Sequence, residues 1–139
     1  MNLKTASKLL ATLLFMAFFS LQATAQDEVI KEGRFISKGY RISGNFQLVK
    51  TERGIKIVLD ERFRTNNGPD LKIFLSKDNH RVINNNNADL GVKVGLLKSN
   101  QGYQEYYLNP RVDISRYKTL IIHCERFSKL WGVADISQK

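Results

Sequence analysis

From residue 45 onward, apolar side chains recur at every second position in short runs, and turn residues separate the runs. A period of two predicts strands that bury one face. Phe46, Leu48 and Lys50 alternate with Asn45, Gln47 and Val49. After Glu52-Arg53-Gly54, Ile55, Ile57 and Leu59 line one side of a second strand, so the two read as a hairpin. Leu71, Ile73 and Leu75 share a face after the Gly68-Pro69 turn, and Val92, Val94 and Leu96 form a shorter strand. Tyr103 to Leu108 is rich in aromatic residues and half polar, as an exposed edge strand is. In the most apolar segment, Leu120, Ile122 and Cys124 fall on one face, and Ile121, His123 and Glu125 on the other. A turn of helix is expected only just after residue 25 and over Ile114 to Tyr117. The pattern predicts an all-β fold, a small antiparallel β-sandwich. Asn84-Asn85-Asn86-Asn87 has no hydrophobic pattern and reads as an exposed, solvated loop tip.

The start of the chain follows another plan. Lys4 and Lys8 precede an apolar run from Leu9 to Leu21, and Ala23-Thr24-Ala25 places small residues where a signal peptidase reads. The run is too short to cross a bilayer as a helix. A cleavable signal over residues 1–25 is therefore expected, leaving one domain over residues 26–139 and no membrane span after processing. The product is expected to be exported, to the periplasm or the exterior.

The formal charge of the whole chain is +9. Two lysines and no acid lie in the signal, so the remainder keeps a charge of about +7. A basic surface favours anionic partners such as envelope polymer or lipid headgroups. Export argues against nucleic acid, and the cations are spread along the chain without a run of five or six.

Few residues offer chemistry. Cys124 is the only cysteine, in a chain expected to enter a compartment where disulfides persist. Its face is apolar, which fits a packed small hydrophobe, yet an unpaired thiol there invites unwanted disulfides. His123 points to the opposite face, and His80 is the only other histidine, so a structural zinc site is not expected. The Cys-x-x-Cys-His signature of covalent haem is absent, but one axial thiolate is enough to hold haem without covalent attachment. No serine lies in a nucleophile elbow and no glycine-rich phosphate loop is present, which argues against an ordinary hydrolase. Asn66-Asn67-Gly68-Pro69-Asp70 offers oxygens to calcium but lacks repeated acids, so it reads as a turn. Trp131, with Phe127 and Gly132 nearby, is expected to close the core.

Several of these residues recur in one order. Gly44-x-Phe46, Gly68-Pro69-Asp70-Leu71 with Leu75-Ser76, and Asn100-Gln101-Gly102-x-Gln104-x-x-Tyr107-Leu108 are followed by Tyr117 and Leu120 to Ile122. Cys124-x-x-Phe127-Ser128 and Gly132-x-Ala134 close the series. This order resembles the DM-thirteen domain family over about residues 40–136. The resemblance implies an extracytoplasmic β-sandwich in electron transfer, with Cys124 as the redox centre, either as a bare thiol or as a ligand of a group such as haem. Two departures stand out: His123 where an aromatic or apolar residue is usual, and Trp131 where phenylalanine is usual. The first either changes the polarity around the thiol or is an idle surface substitution.

The expected activity is therefore redox, through Cys124 and an unidentified redox partner protein. If haem is bound, Cys124 is its axial ligand and Phe127 and Trp131 neighbour the macrocycle. The rival reading is a non-enzymatic module that binds envelope polymer or protein, with Cys124 merely packed and Tyr103, Tyr106 and Tyr107 presenting a surface.

Overall fold

The computed structural model describes residues 24–137. The signal expected over residues 1–25 lies almost wholly outside the described residues. The strands are β1 (Glu28–Arg34), β2 (Ile36–Ser37), β3 (Ile42–Ser43), β4 (Asn45–Thr51), β5 (Gly54–Leu59) and β6 (Arg64–Thr65). They continue as β7 (Leu71–Ser76), β8 (Val92–Leu96), β9 (Gln104–Tyr107), β10 (Thr119–Cys124) and β11 (Lys129–Asp135). One sheet has the order β1-β4-β5-β9 and the other β2-β11-β10-β7-β8, with β3 and β6 forming a short strap. All pairings are antiparallel.

The expected alternation builds the main core. Phe46, Leu48, Ile57 and Leu59 of the first sheet meet Leu71, Ile73, Leu75, Leu120, Ile122 and Cys124 of the second. The β4–β5 hairpin turns at Glu52-Arg53, where Thr51 Oγ1 accepts from Arg53 N–H (3.1 Å) and donates to Gly54 O (2.9 Å). β9 is an edge strand, as its half-polar pattern predicts. Gly44 has φ +100°, and a Cβ there would lie 2.5 Å from Phe63 Cα, so the Gly44-x-Phe46 element needs its glycine.

The second sheet is buried on both faces. Phe74, Ile121, Leu130 and Val133 point away from the main core and join Ile83 and Ala88 in a smaller one. The segment between β7 and β8 supplies Ile83 and Ala88 and covers that face. The asparagine run is the exposed loop expected of it, within a segment that also packs. The asparagines are largely exposed, but Asn87 Oδ1 accepts from Asn84 N–H (2.8 Å) and Asn85 Oδ1 from Leu130 N–H (2.8 Å). The run pins the cover to the start of β11.

Three expectations need correction. Residues after position 25 are strand rather than helix, because Glu28 to Arg34 pair along β4. In β8 the register shifts opposite Ile73 and Phe74, so Val94 is the extra residue of a bulge. Val92 and Val94 pack on the core while Leu96 is exposed, and the three do not share a face. The segment Lys129–Asp135, not singled out as a strand, is β11, which lies between β2 and β10 in the larger sheet. The expected helical turn near residue 114 is a single 3-10 turn (Ile114–Arg116), capped by Asp113.

Candidate functional site

Cys124 is the last residue of β10, opposite Leu71 of β7 and Lys129 of β11. It faces the main core with Leu120 and Ile122 and is 0% exposed. Two features close the end of the strand above it. The turn before β7 carries Leu71 into the core, and a Cβ on Gly68 would lie 2.7 Å from Leu71 Cδ2 and 3.2 Å from Trp131 Cη2. The glycine therefore lets the turn press onto both side chains. Trp131 comes from β11, where the register shifts opposite Ile122 and His123, so that Gly132 and Leu130 are paired and Trp131 is the bulge residue. The bulge sends Leu130 into the smaller core and Trp131 into the main one. Tyr40 then stacks on the indole, with centroids 3.6 Å apart and planes 5° from parallel. Trp131 is 4% exposed and its Nε1–H has no hydrogen-bond partner.

On the opposite face, charges fasten the same end of the sheet. The β10–β11 loop, residues 125–128, closes with Ser128 N–H donating to Glu125 O (3.2 Å), and Ser128 is left-handed at φ 48°. Glu125 N–H donates to Asp70 O (3.2 Å), joining this loop to the Gly68–Asp70 turn. Lys72 Nζ lies 3.1 Å from Asp70 Oδ1 and 3.4 Å from Glu125 Oε1, and Lys93 Nζ lies 2.8 Å from Glu125 Oε2. The Lys72 hydrogen bond holds the Asp70 carboxyl below its ordinary range, and Lys93 chiefly does the same for Glu125. Lys72 is held above its ordinary range, first by the hydrogen bond to Asp70.

The sequence elements singled out above converge here. Asn100 Nδ2 donates to Asn67 Oδ1 (2.6 Å), and Asn66 Oδ1 accepts from Arg41 N–H (3.0 Å). These asparagine oxygens are thus already engaged in holding loops together. Gln104 braces its own loop: its Nε2 donates to Ser99 O (3.0 Å), and its Oε1 accepts from Ser99 N–H (3.1 Å) and from Tyr106 OH (2.5 Å). The Asn100–Gln104 and Asn66–Leu71 elements are therefore scaffold for the corner that seals Cys124. Among the described residues, no three His, Cys, Asp or Glu side chains group in a way that could hold a metal ion.

Trp131 packs within the core, as expected. Phe127 does not, because it sits at the loop tip and is 60% exposed. His123 is no surface substitution. It is fully buried on the face away from the thiol, edge-on to Phe74 at 6.0 Å, and neither ring nitrogen has a hydrogen-bond partner. Burial pushes its pKa below the ordinary 6.5, against a smaller upward pull from Asp89 and Glu125. Apolar Phe74, Ile121 and Val133, which occupy outward positions of their strands, were the signal for this second core.

A thiolate-ligated haem needs a cleft flush with the sulfur. Cys124 lies instead in the packed main core, paired with Leu71 and sharing that core with Ile122 and Trp131, and Phe127 lies outside. The arrangement does not fit a macrocycle at Cys124. It leaves the thiol sealed by packed side chains from the start of β7 and from β11.

The family model described as "Electron transfer DM13" matches residues 34–136. No curated protein and no solved structure matches the chain.

Proposed function

Because this chain belongs to the DM13 electron-transfer family, we propose that it carries electrons at Cys124, through a thiol that reacts when the corner above it opens. The observation that carries this reading is the position of the only cysteine. It sits at the terminal residue of β10, beneath a cover whose Trp131 Nε1–H makes no hydrogen bond. Moving the Tyr40–Trp131 pair therefore breaks no hydrogen bond of the indole. The domain works outside the cytoplasm, since Lys4, Lys8, the Leu9–Leu21 run and Ala23-Thr24-Ala25 suit an export signal.

The chemistry is thiol–disulfide exchange. On opening, Cys124 gives its proton to solvent, and the thiolate attacks an acceptor disulfide. One S–S bond forms and one breaks, and the acceptor's second sulfur leaves as thiolate. A donor dithiol attacks Cys124 Sγ in that mixed disulfide and releases the acceptor. Its second sulfur then closes the donor disulfide and frees Cys124. Two electrons pass from donor dithiol to acceptor disulfide, and Cys124 ends as it began.

The second reading, favoured by the complete burial of Cys124 among apolar side chains, is that the thiol only packs and the basic domain binds an anionic envelope polymer or protein. Alkylation of native protein with iodoacetamide across sub-denaturing urea, followed by intact mass, separates the two. The relay predicts slow native labelling whose rate depends on urea far less steeply than global unfolding does. Labelling that tracks global unfolding in rate and urea slope would assign Cys124 to packing.

A further inference from the structure

We propose that the aromatic corner over Cys124 is the docking face for an acidic redox protein, an inference that rests on the electron-transfer reading. Two rings there are open to solvent. Tyr40 is 37% exposed on top of Trp131, and Phe127 protrudes from the adjoining loop. Four cations border them. Lys38 N–H donates to Trp131 O (3.0 Å), which places Lys38 beside the stack, and Arg41 follows Tyr40 and is tied through its backbone to Asn66. Arg126 lies in the β10–β11 loop next to Phe127, and Lys129 shares the strand face of Trp131, two residues away.

Among the described residues, none of these four forms a salt bridge. The acids of the corner, Asp70 and Glu125, form their ion pairs with Lys72 and Lys93, and Asp70 also lies within reach of the Arg126 charge. The result is an apolar centre with a positive rim in which, among the described residues, Lys38, Arg41 and Lys129 form no ion pair. That is the charge pattern of a face that steers an oppositely charged protein and lets it go again. An amphipathic helix that would lie in a bilayer interface does not occur among the described residues.

The test is an NMR titration of isotopically labelled full-length mature protein with a small acidic dithiol carrier of the thioredoxin type. Phosphatidylglycerol vesicles serve as a second probe. Saturable shifts confined to residues 36–41, 66–70 and 124–131 are expected, and they should weaken as salt rises. Charge reversal at Lys38, Arg41, Arg126 and Lys129 together should weaken binding about tenfold or more while the urea midpoint holds. Cys124→Ala should bind as the parent does, so docking and the redox role of the thiol fail separately. No saturable shift up to millimolar carrier, shifts on another face, indifference to charge reversal, self-association through this face, or binding to vesicles but not to the carrier would each overturn the proposal.

Discussion

Replacing Trp131 with alanine is expected to lower stability by about 3–5 kcal/mol, the usual loss for a large aromatic cut from a core. It is also expected to raise the native labelling rate of Cys124. Trp131 is nearly fully buried, carries Tyr40 on its face and touches the turn that seats Leu71 opposite Cys124. Its loss removes the cover, the stack and the surface on which the turn rests. Trp131→Phe is the informative partner. It keeps a ring under Tyr40 and deletes the buried, unbonded Nε1–H, so the loss should stay below about 1.5 kcal/mol. Urea unfolding and alkylation of both variants check this. An alanine variant that loses stability without exposing the thiol would show that Trp131 is core and not cover.

Replacing His123 with leucine should have the opposite sign. Both ring nitrogens are buried without partners, and a polar group so placed costs about 1–3 kcal/mol relative to an apolar one of similar size. The pH dependence follows from the downward shift. The folded state holds His123 neutral below the ordinary 6.5, while the unfolded chain takes up the proton near 6.5. Stability from this residue is therefore complete above about pH 6.5 and declines as pH falls toward the folded value. Asp89 and Glu125 pull toward protonation, and Lys72, opposite His123 in the ladder, and Lys93, over the Phe74 ring at 5.9 Å, add positive charge near it. Urea midpoints at pH 7.5 and pH 5 should show a gain for His123→Leu at both, larger at pH 5. A variant no more stable than the parent at pH 5 would mean that the imidazole has found a partner.

Much of this architecture could be read from the order of residues, because burying one face of a strand leaves a period of two. The β4–β5 hairpin, the strand ending in Cys124 and the core side of that thiol all follow from such alternation. The second core was harder to see. Ile121, Phe74 and Val133 pointed outward in strands whose other face was already apolar, but Ile83 and Ala88 lie in a loop with no period. So the alternation alone left His123 either as a change of polarity around the thiol or as a surface substitution. The bulge that turns Trp131 inward depends on pairing with β10, and no local pattern records a register shift. The seal over Cys124 was hidden for the same reason. Tyr40, Gly68 and Trp131 come from distant segments, and their meeting is a product of the tertiary fold.

The central claim is that Cys124 exchanges disulfides while the domain stays folded. Incubating native protein with oxidised glutathione, with intact mass and circular dichroism followed together, tests it most directly. The account predicts one glutathione adduct, mapped to Cys124, that forms and is released by a dithiol with the β-sheet signal unchanged. No adduct while the fold persists, and a prompt one once urea has unfolded it, would contradict the account and leave Cys124 a packing residue.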